Sequence, residues 1–361
     1  MTRYLFAFLL LGLFACGDDD AAETKCTSSS PMRGVLDRYY EVIESRTTTL
    51  ATASISLEVI ANEYVDSPTE TGLGDFRAAY LATTEAWLNV EPFAYGPDGA
   101  SQVSAEINPF PVDESVVDRY VTQGSFDASQ PTNFDRGLPA LDYLLFNGSL
   151  SDVHQRLVMD GAARLTLFDL SAAIKVASAD LLSAWQGAEE TFTLSTGTAA
   201  GSGISVLING MSKHFEDTRR DRLGTPFGVT TLGFPNPQTV EAPYSGMSLE
   251  WLRKAIIASQ TAFTTSDQIG NQILPSLADY LRGLPTSDAT SLVDDIESQY
   301  SLMLNELNEI DGPLEVAVEQ DIDDVQEAYN AISRQVVNLK TDVPSVACVA
   351  ITYVDNPSDS D

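Results

Sequence analysis

Apolar side chains recur every three to four residues through most of this chain, the spacing that lines one face of an α-helix. The longest such stripe runs from Gly34 to about Asp66 through Val35, Tyr39, Val42, Ile43, Leu50, Ile55, Leu57, Ile60 and Tyr64, and Ser67-Pro68 ends it. The spacing predicts a second helix from about Asp75 to Val90, with Phe76, Ala79, Tyr80, Thr83, Trp87 and Val90 on one side. Short helices are expected over 114–122 and 138–146, and a long one from Ser151 to about Gln186. Further along, helices are expected over 204–222, 248–264, 268–283, 287–309 and 314–341. Only 346–354 alternates in the manner of a strand, with Val346, Cys348, Ala350, Thr352 and Val354 on one side.

These stripes predict an all-α protein in which antiparallel helices bury one another's apolar faces. Two proline-rich inserts, 100–136 and 223–248, interrupt the helices and are too long to be simple connections. A Gly-, Ser- and Thr-rich stretch from Gly187 to Gly203 is the expected link between two helical-bundle halves, 32–190 and 203–345, with 346–361 as a tail. Each half has a long first helix, an irregular insert and further long helices. That shared plan suggests a duplicated four-helix-bundle unit.

The N-terminus reads differently. Arg3 precedes about ten apolar residues, Leu5 to Ala15, and then Cys16, a secretory signal layout over residues 1–15. Leu13-Phe-Ala-Cys16 resembles a bacterial lipobox, which implies cleavage before Cys16 and lipid on its thiol. Residues 16–31 read as a flexible acidic tether, and Asp18-Asp19-Asp20 resembles signals that send lipoproteins to the outer surface in Bacteroidetes-type bacteria. The expected location is the cell envelope, with the chain held on the outer membrane by its lipid anchor.

Charge narrows the partners. The chain carries 52 acidic against 20 basic residues, a formal charge of −32. Nucleic acid is excluded as a partner, because phosphate binding needs clustered Lys and Arg. With Cys16 lipidated, Cys26 and Cys348 remain, and in an oxidising compartment they read as a disulfide or as two free thiols.

Candidate chemistry gathers in one stretch, Asn133-Phe-Asp135-Arg136-Gly137-Leu-Pro139-Ala-Leu-Asp142-Tyr-Leu-Leu-Phe146. Upstream lies Trp87-Leu-Asn-Val-Glu91-Pro92-Phe-Ala-Tyr95-Gly96-Pro97, and Asn108-Pro-Phe-Pro111 and Glu241-Ala-Pro-Tyr-Ser245 flank it in order. Together these segments resemble the imelysin, or peptidase M75-like, family over nearly all of the mature chain. The family's Gly-x-His-x-x-Glu motif places His and Glu on one helix face, where they can share a cation. Here it reads Gly137-x-Pro139-x-x-Asp142, so the imidazole is gone. Two readings of this segment stand. It is a helix start without metal, with Pro139 in the first turn and Asp142 favouring the positive helix end. Or it is a degenerate site in which Asp142, with a carboxylate such as Glu91, holds a hard metal cation.

The chain has two histidines. His154 sits in a helix start that reads as solvent-facing. His214 lies in the charged run Lys213 to Arg222, which reads as a solvated salt-bridge ladder. No His-Glu-x-x-His zinc motif, Gly-x-Ser-x-Gly elbow or phosphate loop is present. The expected site is a cleft where the halves meet, with Trp87, Tyr95, Arg136, Gly137, Pro139 and Asp142 from the first and Lys213, Arg219 and Arg222 from the second. The resemblance implies a binding component in uptake of iron or another metal, working with TonB-linked components. The alternatives are a metallopeptidase of the same family and an adhesion or interaction module.

Overall fold

A computed structural model describes residues 26–28, 32–97, 100–124, 126, 134–264 and 275–353. Cys16, the acidic run and most of the tether lie outside the described residues, as do Asn133, 268–274 and the chain beyond Tyr353. Among the described residues the fold is all-α, and no strand is present. The helices are α1 (Met32–Asp66), α2 (Glu70–Val90), α3 (Ala100–Ile107), α4 (Glu114–Gln123), α5 (Gly137–Phe146), α6 (Leu150–Met159) and α7 (Gly161–Leu194). After a turn at 195–202 come α8 (Gly203–Asp217), α9 (Ser248–Thr264), α10 (Leu277–Arg282), α11 (Ser287–Glu309), α12 (Leu314–Gln320), α13 (Ile322–Val337) and α14 (Val343–Ala347).

Several boundaries differ from the periodicity, each for a local reason. Helix α2 begins five residues earlier than its apolar stripe, at Glu70. Thr69 caps it, its Oγ1 accepting from Gly72 N at 3.0 Å. The long helix expected from Ser151 is two, because Asp160 turns its Oδ1 to Ala163 N at 3.0 Å and caps α7 instead of continuing α6. The helix expected over 314–341 breaks at Asp321 and then widens into a π-helical turn over Asn338–Asp342. The alternating stretch at 346–354 is not a strand. Val343–Ala347 is helical, and Cys348 ends it in the left-handed region at φ 55°.

Helix α1 lies along α7 and α2, and α11 packs on α13. Buried apolar residues from both sides of the 195–202 turn join one cluster, which runs from Val35 and Leu57 through Ile174 and Phe215 to Ile296 and Val343. Helix α9 packs against α2, and α8 packs against the turn Glu91–Phe93 that follows α2. The end of α2 is thereby placed against α8, which positions the site described below. Cys26 and Cys348 are joined by a disulfide with their Cα atoms 5.7 Å apart. It ties the segment ahead of α1 to the end of α14.

A candidate binding cleft around Arg222

Helix α8 does not simply stop at Asp217. It widens into a π-helical segment over Thr218–Gly224, a distortion that recurs at functional sites. The segment turns Arg222 inward, where its side chain is 2% exposed. A buried guanidinium needs partners on every face. Arg222 Nε donates to Glu241 Oε2 at 2.5 Å, and Nη2 donates to Glu91 Oε1 at 3.0 Å. Nη1 reaches Thr218 Oγ1 at 3.4 Å, and the ring of Phe110 lies 5.3 Å from the guanidinium carbon. Asn108 donates to Glu241 Oε1 at 2.7 Å and completes that carboxylate. Four segments distant in sequence thus converge on one cation: the end of α2, the loop after α3, the π segment and the long loop before α9.

Two buried carboxylates share that one cation, and the balance shows in Glu91. Burial pushes its pKa up to about 7; Arg222 pulls the other way, and Glu241 and Asp217 add to the rise. Burial also acts against the charge on Arg222, but Glu241 and Glu91 overcome it and hold the guanidinium above its usual range. His214 faces Glu91 from α8, its Nδ1 3.6 Å from Oε2, while its Nε2 lies 3.4 Å from the Ala255 carbonyl. Burial, with Arg222 adding to it, drives the His214 pKa down to about 3, so the ring is neutral at ordinary pH. The charged run of α8 is therefore not a uniformly solvated ladder. Lys213, Asp217, Arg220 and Asp221 form the outer, half-buried part, whereas His214 and Arg222 are fully inside. His154, by contrast, is half-buried on α6 and meets Tyr64 Oη at 3.1 Å.

Over this ion cluster lies a cleft of about 290 Å³, lined by Trp87, Glu91, Tyr95, Ser104, Ala105, Asn108, Pro109, Phe110, Phe134, Asp217, Asp221 and Arg222. Tyr95 donates to Asp217 Oδ2 at 2.5 Å, and Lys213 pairs with the same carboxylate while lying 5.3 Å over the Tyr95 ring.

Of the residues expected at a shared cleft, Trp87, Tyr95 and Arg222 line it, Glu91 joins them, and Lys213 stands behind Tyr95. Arg219 is half-buried on the π segment and is not among the lining residues. Arg136 is buried elsewhere, donating to Asp135 at 3.0 Å and Glu106 at 2.9 Å and stacked on Phe126. Gly137 begins α5 at φ +70°, and a Cβ there would sit 2.3 Å from the Ile107 carbonyl oxygen. That close approach requires glycine. Pro139 occupies the first turn of α5, where no helical partner awaits its missing N–H.

Asp142 is not in the first turn and serves no helix end. It lies fully buried, with Oδ1 accepting from Tyr80 Oη at 3.2 Å and Ser245 N at 3.2 Å, and Oδ2 accepting from Tyr244 N at 3.0 Å. Burial still pushes its pKa up to about 6 against those hydrogen bonds. Its work is to hold the loop 241–245, in which Ala242 adopts φ +53°. That loop delivers Glu241 to Arg222. Glu91 and Asp142 share no hydrogen-bond partner: Glu91 meets Arg222, and Asp142 meets Tyr80, Tyr244 and Ser245. Among the described residues, no group of three or more His, Cys, Asp or Glu side chains could hold a metal. The donor set present, with Pro139 in the histidine position and both Asp142 oxygens taken, does not fit a resident metal ion.

The residues that no site expectation named include Ser104, Asn108, Phe110 and Glu241. Asn108 and Glu241 stand in the two short proline-containing segments at the inserts, and those segments were their only signal.

The family model for imelysin, peptidase M75, matches residues 35–339. The chain belongs to the imelysin family. No curated protein matches it. An imelysin-like protein from Psychrobacter arcticum 273-4 is 16% identical, with a TM-score of 0.69 over 91% of this chain and 99% of that one. A protein named as an iron-regulated protein A precursor, from Parabacteroides distasonis ATCC 8503, is 17% identical, with a TM-score of 0.66 over 89% of this chain and 97% of that one. At such identities the likeness is one of fold.

Proposed function

We propose that this imelysin-family chain is a cell-envelope binding component in the uptake of iron or another metal, and not a catalyst. The observation that carries the reading is the cleft around Arg222. It has the partly apolar walls and the few convergent polar groups of a small-ligand site. His214, beneath it, is neutral and fully buried, with one ring nitrogen turned to a backbone carbonyl and the other to a carboxylate, an arrangement that does not favour a general base. The name of the Parabacteroides relative supports the link to iron. The signal-like N-terminus with Cys16 supports an envelope location. No helix among the described residues is long and apolar enough to cross a membrane.

Two experiments test the reading. Cells lacking the protein should accumulate less radioactive iron when iron is limiting, and the wild-type gene should restore uptake; unchanged accumulation removes the uptake role. Chelator-sensitive cleavage of a denatured protein substrate by the purified chain would favour the peptidase instead. For the anchor, Cys16→Ser should move the protein from the membrane to the soluble fraction.

A further inference from the structure

Buried polar atoms without a partner are costly, at about 1–3 kcal/mol each, and folded proteins keep few of them. In this chain they are not spread evenly over the clefts. Trp87 Nε1, Glu91 Oε2 and Ser104 Oγ have no hydrogen-bond partner, and all three residues line the cleft around Arg222. The clefts at Trp185, at Tyr64 and at Glu44 have no such atom on any lining residue. Glu91 Oε2 is 3.0 Å from Arg222 Nη2, but the hydrogen bond goes to Oε1. Trp87 is fully buried and Glu91 is 7% exposed.

The three atoms define a complement. Trp87 Nε1–H only donates, Glu91 Oε2 accepts, and the Ser104 hydroxyl does either. The fixed charges beside them are already used. Arg222 is held by Glu91 and Glu241, and Lys213 and Arg220 are held by Asp217 and Asp221. An anionic ligand would therefore find no unpaired cation among these groups, and a bare cation, which cannot accept, would leave Trp87 Nε1 unmet. The remaining lining of Ala105, Pro109, Phe110 and Phe134 is apolar.

We infer that the cleft binds a small uncharged molecule that carries a hydrogen-bond acceptor next to a donor, of the amide or hydroxamic-acid kind. The acceptor meets Trp87 Nε1 and the donor meets Glu91 Oε2, with Ser104 joining either. This deepens the binding reading and rests on it. If the cargo is a metal, the cleft recognises the organic group that carries it and not the bare ion.

The test uses the purified mature protein with 15N-labelled tryptophan. Its three indole N–H resonances report on the whole titration. Trp87→Phe assigns the one that matters. Trp185, whose Nε1 already donates to the Phe93 carbonyl at 3.2 Å, is an internal control. Acetohydroxamic acid and acetamide should move the Trp87 signal saturably, and acetate, methylammonium and ferric ion should not. Ser104→Ala, at a half-buried position that folding tolerates, should weaken acetohydroxamic acid about fivefold. A Trp87 signal that responds to acetate, methylammonium or bare ferric ion at least as strongly overturns the ligand class, and so does one that ignores both neutral probes. The iron-accumulation experiment is independent of this result. Neutral probes that fail beside intact iron dependence refute only the ligand class. Probes that bind beside unchanged accumulation refute only the uptake role.

Discussion

Asp142 and Glu91 are both buried carboxylates whose pKa burial raises, to about 6 and about 7, yet they end in opposite situations. Asp142 stands in the position of the family's motif, and both its oxygens are used: a tyrosine hydroxyl and two backbone N–H groups saturate it. Glu91 stands outside that motif, in the Trp87–Pro97 segment. It shares one guanidinium with Glu241 and keeps an oxygen, Oε2, that makes no hydrogen bond although Arg222 Nη2 lies 3.0 Å away. A saturated buried carboxylate is a structural fastener. One left with an orphaned oxygen beside a cleft is equipped to meet something else. The two are also connected, because the loop that Asp142 holds is the loop that carries Glu241. At the motif position Asp142 therefore supports the loop that carries Glu241 to Arg222.

The largest effect should come from Arg222. Arg222→Met keeps much of the side-chain volume but leaves Glu91 and Glu241 buried without a countercharge. Breaking a buried pair in this way costs about 3–5 kcal/mol. Urea denaturation should show a loss of that size, and the triple variant with Glu91→Gln and Glu241→Gln should recover part of it. A loss below about 1 kcal/mol, the range of an exposed pair, would mean that the cluster is wetter than its burial implies.

Gly137→Ala tests the motif side. The new Cβ would lie 2.3 Å from the Ile107 oxygen, at a backbone φ of +70°. Left-handed strain costs about 1–2 kcal/mol and overpacking about 1–3 kcal/mol, so a destabilisation of about 2–5 kcal/mol is expected in the same measurement. Next comes Asp142→Ala, which strands the Tyr244 and Ser245 amides and the Tyr80 hydroxyl, for about 1–3 kcal/mol. Its signature is local: amide exchange at Tyr244 and Ser245 should speed up at least tenfold, and the response of Trp87 to acetohydroxamic acid should weaken as Glu241 loosens. Unchanged exchange at those amides would show that the loop is held by something other than Asp142.

Much of the fold was legible because helical periodicity is local. The stripes from Val35 to Tyr64 and from Ser287 to Glu309 match α1 and α11 closely. What misled were polar residues whose role depends on distant partners. Asp160 and Asp321 look like ordinary helix surface but end helices. His214 and Arg222 look solvated beside so many charges, yet the π turn and the packing of α8 against the 91–93 turn bury them. The candidate site was legible in part, through Trp87, Glu91, Tyr95 and Arg222. Glu241 and Asn108 were not, because they join Arg222 from inserts whose paths follow no period. The alternation at 346–354 failed for a related reason: the disulfide and the helix ending at Ala347 decide that segment, not its pattern.

The smallest expected effect, and the one that most sharpens the contrast, is the pH dependence of Glu91→Gln. A carboxyl whose folded pKa lies above its unfolded value binds its proton more tightly in the native state. Its contribution to stability is fully present below about pH 4.5 and is lost as pH rises through about 7. Asp142 behaves in the same sense from 3.8 up to about 6. His214 has the opposite sense, because its pKa falls from 6.5 to about 3 on folding; its contribution is present above 6.5 and is lost as pH falls. Glu91 is thus the last of the three to give up its proton in the folded protein as pH rises. Glutamine imitates the protonated form. Glu91→Gln should therefore lose the decline in stability between pH 4.5 and 7 that the wild type owes to this carboxyl. Above pH 7 it should equal or exceed the wild type, whose carboxyl has by then lost its contribution. The groups that face Glu91 are Arg222, Glu241, Asp217 and His214, and none of them is altered by the substitution. Denaturant titrations of both proteins at about pH 5, 6, 7 and 8 measure the difference directly. Parallel curves would show that Glu91 is ionised throughout, as satisfied by Arg222 as Asp142 is by its loop, and the contrast between the two carboxylates would disappear.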